Sequence, residues 1–358
     1  MARRYSMVAA FAGLIVAIQV ATRLTDTPYH LTQLTMTAYY SLLIAGLCML
    51  IGYAGQISIG HAGFFAIGGY VSAFLTTRNL SAHKALPLVS LLRKAGVLVA
   101  KPDLYGGDLL VVHPWLACAA AILLAVAIAY VIGGPVLKLR GHYLAMATLG
   151  FGIIIYRVAL GTAFLGAADG ISDVPGFPLP FGLVISGKSS VRVSNYYLAW
   201  GLVILGMVLL LNLIHSRVGR ALAAVHGAED AAGAMGIPAA RFKLNTFVLS
   251  AVFASVAGVF LTHYNGGIGP SEASVMKSVR YVAIVAIGGM ANLWGALLMS
   301  LVLNYLSLRG YFGTFDDTVF GVILILIMLF APDGLLRRHL LSDLKRLVSR
   351  SDAEEEAP

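Results

Sequence analysis

Apolar residues occur along this chain in stretches of about 15 to 25, separated by short polar segments. A helix needs about 20 such residues to cross the ~30 Å hydrocarbon layer of a membrane. The stretches do not alternate apolar with polar positions, so they indicate helices and not barrel strands. The pattern predicts an all-α, polytopic transmembrane helical bundle of about 8 to 10 spans, with candidates at 6–22, 34–54, 59–77, 113–134, 142–160, 196–214, 244–264, 275–290, 293–309 and 316–331.

The composition favours a membrane protein over a soluble one. Of 358 residues, 59% are hydrophobic and 11% are charged, against roughly 25% charged in soluble domains. The net charge is +9, but the Lys and Arg residues form no basic stripe, so no nucleic-acid partner is predicted. Cys48 and Cys118 lie within separate apolar runs, where a small buried hydrophobe is the commoner role. No metal site is predicted.

The distribution of basic residues predicts the topology. The polar stretch 215–243 has an excess of Lys and Arg near its membrane ends, so the positive-inside rule places it in the cytoplasm. The basic N-terminus and the basic C-terminal segment are expected there too, which requires an even number of crossings on either side of the stretch. Six spans before it and four after it satisfy this condition. A re-entrant 59–77, or a single long element over 275–309, would change the count.

The same parity places residues 79–112 outside the cell, although this segment holds several basic residues. We therefore expect a permease domain over 1–337 that includes an external insertion at 79–112. Residues 338–358 form a basic and then acidic cytoplasmic tail. The first apolar run follows Arg3 and Arg4 and resembles a signal peptide, but no small-x-small cleavage site follows it, so we interpret it as a retained span.

Spans two and three adjoin through a Gly-rich polar segment, 52–61, which is unlike a lipid-facing helix. Small residues then recur on one helical face, which indicates close packing of membrane helices, at Ser58, Ala62, Ala66, Gly69 and Ala73. Irregular backbone at membrane depth is tolerated where protein or a water-filled cavity satisfies it, so the segment is also a candidate part of a translocation path. The two interpretations are compatible.

Few ionisable residues fall within the predicted spans, and the clearest is His61. Ion-coupled transporters usually keep such groups at membrane depth, so their scarcity favours an externally powered permease. We interpret His61 as a hydrogen-bonded structural residue, with a proton relay as the alternative. Asp169 and Asp173 share a loop rich in Gly and Pro, where turn formation is the commoner role.

Residues 182–189, Gly-Leu-Val-Ile-Ser-Gly-Lys-Ser, match the phosphate-binding pattern GxxxxGK[ST]. A working phosphate loop follows a buried strand and opens a helix, whereas this stretch follows three prolines and lies outside the cell in the predicted topology. We therefore predict no nucleotide binding by this chain.

The cytoplasmic stretch contains two predicted helical pieces, around 220–226 and 228–235. Glu229 and Asp230 suit the start of the second piece, and Gly236 is typical of a helix end. A short amphipathic helix outside the membrane suits docking into a groove of a partner, and the alternative is a solvated connecting loop.

This stretch resembles the coupling segment of the membrane permease subunits of branched-chain amino-acid ABC importers. The matching positions are Gly219, Arg220, Ala221, Leu222, Glu229, Ala231, Ala232, Met235, Gly236 and Ile237. The chain departs from the family pattern at 226–228, where His, Gly and Ala replace residues that are often Arg or Glu.

Further motifs cover most of residues 40–337 in the family's order. The segment Gly52–Phe65 is similar to the family's signature near the translocation path, and its Ala54 and Gln56 favour the amino-acid branch over the urea branch. The loop 166–171 is similar to the family's Gly-Gly-Ser/Ala-Asp-Gly loop, with Ala167 in place of the second glycine. Matches at 140–149, 288–296 and 328–335 complete the resemblance.

The resemblance implies a helical permease of the bacterial inner membrane, working by alternating access, with both termini in the cytoplasm. It implies four kinds of partner: the lipid bilayer, a second homologous permease subunit, two cytoplasmic ABC ATPases and an external solute-binding protein. The chain itself would be no enzyme and would bind no cofactor, because the ATPase chains use the ATP. A permease for urea or short amides, or an ion-coupled secondary transporter, is the alternative.

The resemblance also assigns candidate residues. The ATPase-coupling candidates are Gly219, Arg220, Glu229, Asp230, Ala231, Ala232, Met235 and Gly236. The translocation-path candidates are Gly55, Gln56, Ser58, Gly60, His61 and Phe64. Asp169 is the candidate of the external loop.

Overall fold

A computed structural model describes residues 2–79, 81, 96–102, 108–137, 142–311 and 313–330. These residues form twelve α-helices and two short antiparallel hairpins. The helices are α1 Ala2–Leu24, α2 His30–Ala54, α3 His61–Thr77, α4 Pro114–Val136, α5 His142–Gly161, α6 Arg192–Ile214, α7 Arg217–Gly227, α8 Glu229–Ala234, α9 Ala239–Asn265, α10 Val275–Gly288, α11 Leu293–Leu308 and α12 Asp316–Phe330. The predicted polytopic helical bundle is confirmed.

Six of these helices, α1, α2, α4, α5, α6 and α9, are long and apolar enough to cross a membrane, with mean hydropathy from 1.8 to 2.6. Helix α2 lies at the centre, with 94% of its most apolar window buried, and it packs against α6, α9 and α11. Helix α1 lies at the periphery, with only 17% buried. Exposed apolar side chains on such outer helices suit contact with lipid tails.

The small-residue face of α3 packs against α9. A Cβ atom on Gly68 would lie 2.2 Å from the Ser255 carbonyl oxygen, and one on Gly258 would lie 2.0 Å from the Phe65 carbonyl oxygen. Ala62 and Ala73 on α3 are fully buried. The backbones of α3 and α9 therefore approach so closely that only glycine fits at these two positions. Of the predicted face, Gly69 lies at the same crossing, where an added Cβ atom would be 2.4 Å from Thr262 Oγ1 of α9; Gly68 is not part of that face.

The last three helices are short. Helices α10, α11 and α12 have 14, 16 and 15 residues, which corresponds to about 21 to 24 Å of helix. A turn at Gly289, where φ is +99°, separates α10 from α11. The predicted spans 275–290 and 293–309 are thus two elements, and the alternative of one long element over 275–309 is wrong.

The predicted third span, 59–77, begins as a helix only at His61, because residues 55–60 are not helical. Within the predicted insertion 79–112, strand β1, Leu98–Pro102, pairs antiparallel with β2, Asp108–Val112. A second hairpin joins β3, Phe177–Pro178, to β4, Val184–Ile185. Residues 80, 82–95 and 103–107 of the insertion, the tail 338–358 and most of the closing motif 328–335 lie outside the described residues.

The predicted first span is α1, and it packs against α6. The rings of Phe11 and Trp200 meet edge to face at 5.6 Å, and the Tyr196 hydroxyl donates to the Ile15 carbonyl oxygen at 3.0 Å. These contacts integrate α1 with the bundle.

Candidate functional site

The path candidates lie on the irregular segment 55–60, between α2 and α3. Helix α2 ends at Gly55, whose φ of +67° is a conformation that glycine adopts readily. The Gln56 amide donates to the Leu50 carbonyl oxygen at 3.2 Å, and Gln56 is 2% exposed. Its side-chain Oε1 has no hydrogen-bond partner among the described residues.

His61 ties the start of α3 to α9. Its Nδ1 lies 3.0 Å from Ser58 Oγ, its Nε2 contacts Ser250 Oγ, and the residue is 1% exposed. With both ring nitrogens engaged by hydroxyl groups, His61 fixes the geometry of the bend. This arrangement agrees with its interpretation as a structural residue.

Two neighbouring amides of this region are bound by other helices. The Ile59 amide donates to Thr148 Oγ1 on α5 at 3.0 Å, and the Ala62 amide donates to Ser278 Oγ on α10 at 3.2 Å. A Cβ atom on Gly60 would lie 2.4 Å from the Thr148 carbonyl oxygen. Side chains of surrounding helices therefore satisfy backbone groups that lipid could not.

Phe64 and Phe65, at the end of the signature, have different surroundings. Phe64 is fully buried, with its ring 4.7 Å from that of Phe151 and 5.6 Å from that of Phe247. Phe65 points elsewhere: it stacks on Tyr40 at 5.7 Å and lines an open cavity. Phe64 was the predicted path residue, but the structure places its neighbour Phe65 against the cavity.

The coupling candidates lie on α7 and α8. Ser216 caps α7 by accepting from the amides of Val218 and Gly219. The apolar face of α7 buries Leu222 and Val225 against the bundle. A Cβ atom on Gly219 would lie 2.0 Å from the Ile214 carbonyl oxygen at the end of α6, so glycine allows α7 to fold back closely.

Helix α8 is short and has defined ends. It begins at Glu229, and Gly236, with φ of +80°, follows its end. The Ile237 amide donates to the Ala232 carbonyl oxygen at 3.0 Å and the Gly236 amide donates to that of Gly233 at 2.9 Å, which together form a Schellman motif. The predicted role of Gly236 as a helix stop is therefore confirmed.

The candidate side chains of this segment point in different directions. Lys243 Nζ lies 2.6 Å from Glu229 Oε2, which ties α8 to α9. Ala232 is buried, whereas Met235 is 83% exposed. The other exposed candidates are Arg220, Asp230, Ala231 and Gly236. These exposed residues, with Met235 and Gly236 at the end of α8, form the accessible surface of the α7–α8 segment.

The coupling segment and the irregular segment meet directly. A Cβ atom on Gly55 would lie 2.3 Å from Nδ1 of His226, which is on the last turn of α7. One turn earlier, a Cβ atom on Gly52 would lie 1.7 Å from the Met290 carbonyl oxygen in the turn between α10 and α11. Three motifs that are far apart in sequence thus converge at the end of α2.

A cavity of about 370 Å³ lies beside Phe65, the last residue of the signature. The loop 166–172 forms one wall, and it pairs with the chain after α9 through two hydrogen bonds of 2.9 Å between the backbones of Ile171 and Ile268. Asp169, the predicted residue of the external loop, lines this cavity together with Glu272. Asp173 lies outside it, with φ of +59°, in the turn-forming role expected for this loop.

A charged group that sequence reasoning missed lies beside the cavity. Lys277 Nζ is 2.5 Å from Glu272 Oε1 and 3.2 Å from the Tyr40 hydroxyl. The Tyr40 hydroxyl is also 3.3 Å from both Glu272 oxygens. One signal in the sequence could have indicated this group, because Glu272 is the acidic residue between the apolar runs of α9 and α10.

The stretch that matches a phosphate loop has a different geometry. Its Val184–Ile185 pair forms strand β4 between the two glycines, and Asn195 Nδ2 donates to the Ser186 carbonyl oxygen at 2.5 Å. In a phosphate loop, the strand precedes the motif and the loop amides face the ligand. Here, the motif letters belong to a small hairpin before α6.

Six long apolar helices, a buried central helix and a tight crossing of α3 and α9 are the features of a polytopic membrane protein. A family model described as branched-chain amino acid transport system / permease component matches residues 29–331. The chain belongs to this family, so the predicted membership among branched-chain amino-acid ABC permeases is confirmed. It is a multi-pass membrane protein and a transport subunit, and its family is not one of enzymes.

Three relatives illustrate the similarity. The high-affinity branched-chain amino acid transport system permease protein LivM of Escherichia coli K12 is 31% identical over 323 residues, which cover 84% of this chain and 68% of LivM. LivH of Salmonella typhimurium is 27% identical over 87% of this chain and 96% of its own length. BraD of Pseudomonas aeruginosa is 28% identical over 87% of this chain and 97% of its own length. No solved structure matches the chain significantly.

Proposed function

We propose that this chain is the membrane-spanning subunit of an ATP-driven importer that moves branched-chain amino acids by alternating access. The names of its relatives support this substrate class over urea or short amides. The observation that carries the mechanism is the contact between His226, on the last turn of the cytoplasmic helix α7, and the Gly55 position, where α2 ends and the segment 55–60 begins. A partner that moves α7 acts on this segment without an intermediate element.

In this proposal, partner chains hydrolyse the ATP. Two cytoplasmic ABC ATPases dock on the exposed side of α7 and α8, with Met235 as the apolar contact at the end of α8. Glu229 holds α8 on α9 through Lys243, so its role is to position the docking surface and not to contact the ATPase. The chain itself binds no cofactor.

The other partners follow from the same assignment. Relatives of this chain include both LivM-type and LivH-type permease proteins, which supports a pair of homologous permease subunits. An external solute-binding protein delivers the substrate to the side that carries the cavity of Asp169 and Glu272. The α7–α8 segment, together with both termini, lies in the cytoplasm of a bacterial cell, at the inner membrane.

A series of contacts connects α7 with the external side of the chain. His226 contacts the Gly55 position, the segment 55–60 leads into α3, and Phe65 of α3 stacks on Tyr40 beside the external cavity. Close packing between α3 and α9 makes these helices move as one unit. Closure of the ATPases would therefore change the irregular segment and the cavity together.

The test uses cells that lack this chain and that are complemented with it. Radiolabelled leucine uptake should be restored, and urea or amide uptake should not. Restoration of urea or amide uptake alone would change the proposed substrate class and leave the proposed architecture of the importer unchanged.

Gly236→Val tests the coupling role. At φ of +80°, a β-branched residue is strained by about 1–2 kcal/mol or more, which disrupts the end of α8. Leucine uptake should fall although membrane insertion and ATP hydrolysis by the complex persist. Gly233→Ala is the matched control, since nothing lies within 4 Å of the added atom and φ is helical. Equal uptake by both variants would refute the role of α8 in coupling.

A further inference from the structure

The cavity beside Phe65 has the volume of a small-molecule site. Its volume of about 370 Å³ lies within the usual range of ligand pockets, roughly 300 to 1,000 Å³. Phe65, Leu261 and Ile268 supply apolar surface. Asp169 and Glu272 supply carboxylates. The lining is therefore mixed, and its polar groups contribute more surface than its apolar ones.

The polar side of the cavity favours a positively charged group. Helix α9 ends at Asn265, which lines the cavity, and the C-terminal end of a helix carries partial negative charge. No ion pair or hydrogen bond engages the Asp169 carboxylate among the described residues. The residues that line the cavity include no Lys or Arg. An ammonium group would thus be attracted to this wall.

Thr262 adds an independent indication. It lines the cavity and is 2% exposed, yet within the part of the chain that the structure describes, its hydroxyl forms no hydrogen bond. Buried hydroxyl groups are nearly always satisfied by protein, water or a ligand. A ligand atom at this position would supply the partner.

Glu272 is shared between the cavity and Lys277. The Lys277 ammonium, which is not part of the lining, contacts Glu272 at 2.5 Å and lies 3.2 Å from the Tyr40 hydroxyl. Asp169 is therefore the carboxylate of the lining without a cation among the described residues, and Glu272 divides its charge between Lys277 and the cavity.

We propose that this cavity is an acceptance site for an aliphatic α-amino acid, held by its ammonium group between Asp169 and Glu272. Its side chain packs on Phe65, Leu261 and Ile268. The proposal rests on the proposed function, since it assigns a place to the substrate of the same importer. A site at the external mouth receives the amino acid before the path beyond Phe65 opens.

The experiment measures saturation transfer by NMR from the full-length chain in lipid nanodiscs to three probes, with empty nanodiscs as the background. Leucine and 3-methylbutylamine, which carry the ammonium group, should show transfer to their methyl groups. 4-Methylpentanoate, which lacks it, should not. Asp169→Asn should weaken leucine binding about 10-fold or more, as expected for the loss of a charge-assisted contact, and Asp169→Glu should restore most of it.

Asp173→Asn is the matched control, because Asp173 belongs to the same loop and does not line the cavity. Thr262→Val is the second variant, which keeps the side-chain shape and removes the hydroxyl; it should weaken leucine binding with no change in thermal stability. Equal transfer to leucine and 4-methylpentanoate, unchanged binding in both Asp169→Asn and Thr262→Val, or no transfer to leucine at all would overturn the proposal. Leucine uptake in complemented cells is scored separately, so intact uptake with any of these results would leave the importer function standing.

Discussion

Replacing Gly258 with alanine tests the helix crossing on which both ends of the transport path depend. The added Cβ atom would lie 2.0 Å from the Phe65 carbonyl oxygen, whereas ordinary contacts begin near 3.4 Å. Both sides of this contact are backbone, so no side chain can rotate away. Helices α3 and α9 would have to separate by about 1.4 Å, and overpacking of this kind costs about 1–3 kcal/mol.

The assay is thermal unfolding of the detergent-solubilised chain, combined with leucine uptake in complemented cells. Gly258→Ala should lower the Tm and also reduce uptake, because Phe65 at the external cavity moves with the strained backbone. Gly201→Ala in α6 is the control: it lies in a helix, and nothing is within 4 Å of its added atom. An unchanged Tm in Gly258→Ala, matching the control, would refute the close crossing.

Three further variants test other contacts. Exchanging the charges of Glu229 and Lys243 should restore the leucine uptake that either single reversal reduces, since their 2.6 Å ion pair positions α8; failure of the double variant would contradict this role. Gly219→Ala should reduce uptake with normal insertion, because its Cβ atom would lie 2.0 Å from a carbonyl oxygen of α6, and uptake equal to wild type would argue against a closely folded α7. Asp316→Asn should lower the Tm by breaking the 2.9 Å contact with Arg280, at a cost of about 1–3 kcal/mol; a double variant that also carries Arg280→Gln should lose less than the sum of the two single variants.

The sequence predicted the long helices well, because their signal is the apolar run itself. Helix α2 is predicted at 34–54 and begins at His30, and the predicted helical pieces 220–226 and 228–235 lie within a few residues of α7 and α8. The short helices α10 to α12 were harder, since about 15 apolar residues fit either a complete span or a broken one. Gly289 marks the break in the sequence, but its φ of +99° is a fact of tertiary structure.

The candidate site was predicted in pieces, and their relation was not. Gly55 and Gly60 are path candidates from the sequence, and Gly52 opens the same Gly-rich segment. What each of them contacts, His226, α5 or a turn carbonyl, depends on how distant segments pack. His226 had been noted as a departure from the family pattern, and the structure places it against Gly55. Phe64 and Phe65 are adjacent and equally apolar, so no local pattern could decide which of them lines the cavity.

The periodicity of the sequence could not predict the group formed by Tyr40, Glu272 and Lys277, for the same reason. Tyr40 lies in the middle of an apolar run, and Lys277 lies near the start of a short helix, more than two hundred residues away in sequence.

Ala167 is a case where the sequence difference has a clear structural counterpart. It replaces the family's second glycine, and its φ of +46° is in the left-handed region that glycine favours.

The most direct test of the central claim is ATP-dependent uptake by the assembled importer. The complex is purified through an affinity tag on this chain, reconstituted in liposomes, and supplied with ATP on the face that carries α7 and α8. We expect leucine accumulation that requires hydrolysable ATP and that Gly236→Val abolishes although ATP is still hydrolysed. Accumulation of leucine by this chain alone, driven by an ion gradient without ATP, would contradict the assignment as an ABC permease subunit.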